Sequence, residues 1–170
     1  MIGLDAVERG FLNFRGHAFA ERGAHAYRWV DTKVFRCPAG EPDEALLAAL
    51  VAHPWFRDDY AGGDVDPDGT RHGPYRLDAV TAGAYRPVEA EEARRVLRDW
   101  ADEHGPVPAS LEAELAAVFA VVASADRCYR LADLGDGALH DWGGVHCQFH
   151  EFVAVDRGRA RLTLLVAADD

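Results

Sequence analysis

Residues 141–168 read DWGGVHCQFHEFVAVDRGRARLTLLVAA, and the fold turns on how this stretch is understood. Its second arm, Arg161-Leu162-Thr163-Leu164-Leu165-Val166, is short and rich in β-branched and large apolar residues. The first arm carries Val145, Phe149, Phe152, Val153 and Val155 among polar neighbours in near alternation. Side chains that alternate between two faces belong to strands, so the stretch predicts a long antiparallel hairpin. Its turn contains Asp156-Arg157-Gly158. A two-residue loop favours Asn-Gly or Asp-Gly at its centre, so a three-residue loop with Gly158 left-handed is the better expectation.

Loop length sets which side chains share a face, because a slip of one residue moves every side chain to the other side. The three-residue loop places Phe152 opposite Leu162, His150 opposite Leu164 and Gln148 opposite Val166. Imidazoles and a carboxamide then line an aliphatic surface, while Glu151 pairs with Arg161 or Arg159 at the surface. The two-residue loop places Phe149 opposite Val166, Glu151 opposite Leu164 and Val153 opposite Leu162, and Glu151 becomes the embedded group, with a raised pKa and acid/base capacity. A polar group set among hydrocarbon needs a partner or costs about 1–3 kcal/mol, so either face is expected to border a hollow.

Outward from the hairpin, Arg127 to Leu134 reads as a strand, and Gly143-Gly144 marks a bulge or a close backbone approach. Ser110 can cap a helix with the stripe Leu111, Leu115, Val118, Phe119 and Val122, apolar nearly all round and therefore central. Val88 to His104 is the clearest amphipathic helix, with Ala93, Val96, Leu97, Trp100, Ala101 and His104 inward and Glu91–Arg95 as an exposed pair. Pro42 with Asp43 and Glu44 opens another helix, which ends before Pro54. His25 to Arg36 alternates as a strand, and Leu4, Val7, Phe11 and Phe14 recur at helical spacing, with a strand from Phe11 to Phe19 as the competitor. Arg76 to Thr81 suggests a short strand. Trp55 to Tyr75 is a loop too long to be mere connection, which suggests a lid, an ion loop or disorder. The expectation is one α+β domain over residues 1–170, an antiparallel β-meander packed against three or four helices.

The chain has 170 residues and a formal charge of −11, which argues against nucleic acid and anionic membrane as partners. No apolar run approaches the roughly 20 residues needed to span a bilayer. Cys37, Cys128 and Cys147 are widely spaced, the first residues lack the basic start of a secretory leader, and a cytoplasmic protein with reduced thiols is expected. Lys33 is the single lysine among eighteen basic residues, the bias of a GC-rich bacterial genome.

Candidate chemistry concentrates on the hairpin. Trp142, His146, Gln148, His150 and Phe152 are expected to line a concave binding surface with the Trp55 to Tyr75 loop at its mouth. His140, Asp141, His146, His150 and Glu151 suggest a metal or acid/base site, with His150 and Glu151 as the catalytic candidates. A strand holds His146 and His150 about 13 Å apart, so they cannot share one metal. Cys147 cannot use His146 as a base, since strand neighbours point to opposite faces. Asp64, Asp66 and Asp68 open like a calcium loop, but Tyr75 stands where the bidentate glutamate belongs. No cofactor is predicted. Three functions follow as expectations: binding of a small molecule or peptide; hydrolysis or isomerisation of a small metabolite by His/Glu or metal chemistry; or neutralisation of a basic protein partner.

Overall fold

The computed structural model describes residues 2–20 and 27–169; the expected strand start at His25 lies outside them. The strands are β1 (Asp5–Asn13), β2 (Arg28–Arg36), β3 (Arg71–His72), β4 (Tyr75–Arg76), β5 (Tyr85–Val88), β6 (Arg127–Leu131), β7 (Gln148–Asp156) and β8 (Arg161–Asp169). The helices are α1 (Asp43–Ala52), α2 (Ala90–Asp102) and α3 (Ala109–Ala123). Six strands form one antiparallel sheet in the order β1-β2-β8-β7-β6-β5, and β3 and β4 form a separate two-stranded ladder. The α+β meander holds. It runs from β5 to β8 and then continues through β2 to β1.

Both faces of this sheet are covered. On one, α1 and the irregular segments pack Leu46, Leu47, Leu50 and Phe56 against Phe35, Val153, Val155, Leu162 and Leu164. On the other, α2 and α3 pack Leu97, Trp100, Leu111 and Leu115 against Val30, Phe152, Ala154 and Leu165. A strand buried on both sides needs no alternation, and β8 is apolar almost throughout for that reason.

The hairpin exists, but neither expected register does. Asp156 pairs with Arg161 across a four-residue turn, 157–160, in which the left-handed residue is Ala160 (φ 52°) rather than Gly158. Asp156 stabilises the turn by accepting from the Arg159 amide at 3.1 Å, and the Ala160 carbonyl accepts from Cys37 N at 3.0 Å. Glu151 therefore lies opposite Val166, His150 opposite Ala167 and Gln148 opposite Asp169. The parity is that of the two-residue alternative, so Glu151 is the embedded group and the expected surface pair with Arg159 or Arg161 does not form.

Other elements are corrected as well. The helix expected near residues 4–15 is β1 followed by a short 3₁₀ turn at Phe14–Gly16, and Val7 and Phe11 on its apparent stripe are exposed. Pairing along β2 outweighs the helical spacing. The strand expected at 76–81 is β4 plus a 3₁₀ turn, and β5 at Tyr85–Val88 takes the sheet edge instead. Glu91 pairs with Arg94 rather than Arg95, and His104 is exposed. Pro108, not Ser110, precedes α3, and the Ser110 hydroxyl is hydrogen-bonded to His17 at 2.8 Å. Helix α3 buries one side only, through Leu111, Leu115, Val118 and Val122. Gly143 does mark a close approach: a Cβ there would meet the Pro74 carbonyl oxygen at 2.3 Å.

Candidate functional site: a cleft beside two opposed arginines

The register of β7 builds two polar networks on the α1 side of the sheet. In the first, the Glu151 carboxylate is hydrogen-bonded to His72 Nε2 and accepts from the Tyr85 hydroxyl. His72 Nδ1 is 2.6 Å from the Phe56 carbonyl, which can only accept, so Nδ1 donates to it and Nε2 faces the Glu151 carboxylate. The imidazole lies flat on Phe56 at 3.6 Å, and His72 and Glu151 are buried. In the second, the buried Lys33 ammonium donates to Asp58 at 2.9 Å and to the Tyr60 hydroxyl at 2.8 Å, with Asp31 at 3.1 Å. Burial of this order is tolerated only when charges are paired, and both networks meet that condition.

The residues expected to form one binding surface are divided between places. Trp142 stands outside, 64% exposed. His146 sits on the α1 side, its Nε2 donating to the Asp59 carbonyl at 2.9 Å, with its ring beside Trp29 and Phe149. Gln148, His150 and Phe152 project to the α2/α3 side. Gln148 Nε2 donates to Glu103 at 2.7 Å, His150 Nε2 donates to Gln148 at 3.0 Å, and Phe152 is fully buried. His150 and Glu151 leave β7 on opposite faces of the sheet, although both line the one cleft beside it.

Of the calcium-loop candidates, Asp64 accepts from Arg9 at 2.5 Å and Asp66 caps the Asp68 amide at 3.1 Å. The first ties the loop to β1 and the second belongs to a turn, and among the described residues no group of three or more His, Cys, Asp or Glu side chains is arranged to hold a metal.

One hollow does adjoin the hairpin. Strand β6 ends at Leu131 while β7 continues back to Gln148, so the start of β7 loses its neighbour. The chain between them bends away around Gly143, whose approach to Pro74 admits no side chain. The resulting cleft, of about 820 Å³, is lined by His146, Cys147, Phe149, His150 and Glu151 of the predicted region and by Pro74 and Tyr75 from the end of the long loop. On the α2/α3 side its wall is made by Arg86 and Arg130, which are direct partners across β5 and β6. Neither has a carboxylate within 4 Å among the described residues, although Glu92, Asp133 and Asp136 also line the cleft.

Arg130 lies over the Phe152 ring at 5.7 Å and its guanidinium is 3.4 Å from His150 Nδ1. Burial, then Arg130 and Arg28, push the His150 pKa down to about 4. It is therefore neutral near pH 7, with Nε2 protonated and Nδ1 facing the arginine.

Sequence reasoning missed Arg86 and Arg130 because opposition across strands is a property of register. His72, Tyr85 and Asp58 were likewise invisible as partners of Glu151 and Lys33, since they come from segments far away in the chain. Asp31 and Lys33 left a signal: they alternate in step with Trp29 and Phe35 and so belong on a buried face. No protein-family model, curated protein or solved structure matches the chain.

Proposed function

We propose that this is a binding protein for a small anionic molecule, carrying a phosphate or carboxylate, held in the cleft beside β5, β6 and β7. The observation that carries the reading is the opposed pair Arg86–Arg130. Like charges placed directly across two strands destabilise the sheet. In a chain of net charge −11, with acids plentiful, these two guanidinium groups nevertheless have no carboxylate partner among the described residues. An oxyanion between them removes the repulsion and accepts bidentate hydrogen bonds from either fork. The cleft volume falls within the usual range of small-ligand sites. Phe149, Tyr75 and Leu139 supply an apolar wall for the rest of the molecule.

Binding is favoured over catalysis because the titratable groups near the cleft are not arranged as an acid/base pair. His150 and Glu151 diverge, and Glu151 is committed to His72 and Tyr85. The test is titration of isotope-labelled protein with inorganic phosphate, then with simple phosphomonoesters and dicarboxylates. The expected result is saturable shifts at Arg86, Arg130 and residues 148–150, weakened at least about tenfold in Arg86→Gln/Arg130→Gln, the loss of one or two charged hydrogen bonds. Equal affinity in wild type and double variant, or no shift at these positions with any probe, overturns the proposal.

A further inference from the structure

We infer that a second hollow, at the β1–β2 edge of the same sheet, takes an amino-acid-like ligand: an amine received by Asp31, a planar apolar body, and a carboxylate received by Arg15. The hollow measures about 350 Å³ and lies between β1, β2 and the segment around Tyr60, well separated in the sheet order from the arginine cleft. Phe11, Trp29 and Tyr60 border it as a ladder of rings, with centroids 5.9 Å and 5.6 Å apart and planes within 29° and 20°. Phe11 is 63% exposed, so one face of the ladder is open.

Asp31 is the decisive group. Its side chain is 7% exposed and it lines the hollow, and Oδ2, although ion-paired with Lys33, accepts no well-directed hydrogen bond among the described residues. Oδ2 is ion-paired with Lys33 Nζ at 3.1 Å, but the well-directed donations of that ammonium go to Asp58 and Tyr60. A buried acceptor left unsatisfied is uncommon and costly. Desolvation raises the Asp31 pKa against the pull of Lys33, and a ligand ammonium would offset that cost further by adding charge and well-directed donors.

The other charges facing the hollow are already engaged, except at the rim. Arg9 is bound to Asp64 at 2.5 Å, and Asp58 is bound to Lys33. Arg15 is stacked over Tyr27 at 5.7 Å and has no carboxylate within 4 Å among the described residues. A cation at the mouth with no carboxylate among the described residues, and a buried carboxylate at the floor that Lys33 leaves only partly satisfied, match a zwitterion better than a simple cation or anion. Tyr60, which closes one wall, is held at φ 58°, a conformation L residues avoid, by its amide donating to Asp58 at 2.8 Å. Strain of this kind is maintained where a wall must stand in a fixed place.

Three probes sharing one ring separate the roles: phenylalanine, phenethylamine and 3-phenylpropionate, titrated by calorimetry and by the indole resonance of Trp29. Phenylalanine is expected to bind tightest, and phenylpropionate at least about tenfold weaker than phenethylamine, since its only charge opposes Asp31. Arg15→Gln is expected to weaken phenylalanine while leaving phenethylamine unchanged, and Asp31→Asn to remove the preference for an amine. Phe11→Ala, at an exposed position, is expected to weaken all three, which keeps the test decisive if Asp31→Asn fails to fold. Phenylpropionate binding as tightly as phenethylamine, indifference of all three to Arg15→Gln and Phe11→Ala, or no binding at all, overturns the inference.

Discussion

Glu151 and His150 are neighbours in sequence and opposites in circumstance. Glu151 is enclosed with His72 and Tyr85, and removing its charge leaves His72 and Tyr85 facing an unsuitable partner in a dry interior. Glu151→Gln is expected to cost about 3 kcal/mol or more in urea unfolding, whereas replacing the whole network, as His72→Phe/Tyr85→Phe/Glu151→Leu, is expected to cost less than that single change. The smaller loss in the triple variant is the diagnostic result. His150, in contrast, has its pKa depressed from 6.5 to about 4. The folded state then binds fewer protons than the unfolded state between those values, so the contribution of this group to stability is full above about pH 6.5 and is lost as pH falls towards 4. His150→Gln is expected to flatten that part of the stability curve, measured as the unfolding midpoint at stepped pH. At this scale the sequence was partly legible. Glu151 could be recognised as embedded in one register, but its partners lie 79 and 66 residues away and no local pattern pointed to them.

Two strands and a turn were evident in residues 141–168, and so were α1 and α2, because alternation, proline position and acidic first turns act locally. The turn length was not evident, since it depends on Asp156 capping the Arg159 amide and on Ala160 reaching Cys37 across to β2. The N-terminal strand resembles a helix in sequence because its edge position leaves Val7 and Phe11 exposed, and burial alternates only over residues 10–13. The close approach expected of Gly143-Gly144 belongs to Gly143 alone, in a short turn before β7. Gly143→Ala drives a methyl against the Pro74 carbonyl and is expected to cost about 1–3 kcal/mol, while Gly144→Ala enters open space and is expected to be near neutral. Thermal unfolding of the two variants side by side checks this, and equal effects would contradict the close approach.

Considered whole, the molecule is one sheet serving two large hydrophobic clusters and a small third one around Trp29, Tyr60, Val166 and Ala168, with β7 and β8 contributing to both large clusters through their opposite faces. Arg28 adds a tie of its own, reaching the Trp100 carbonyl and Glu103 at the end of α2 from inside β2. Neither cluster can open without exposing strands that the other requires. Unfolding in urea is therefore expected to be a single transition, with tryptophan fluorescence and far-ultraviolet circular dichroism superimposing. Two resolved transitions would mean that the helix pair and the α1 side are separate cooperative units. The sheet also hides the one lysine of the chain, Lys33, in a setting of zero exposure. Amine-directed reagents thus find no side-chain target while the sheet stays closed, and acylation at that position, followed by mass spectrometry, becomes a clock that ticks only when the interior breathes.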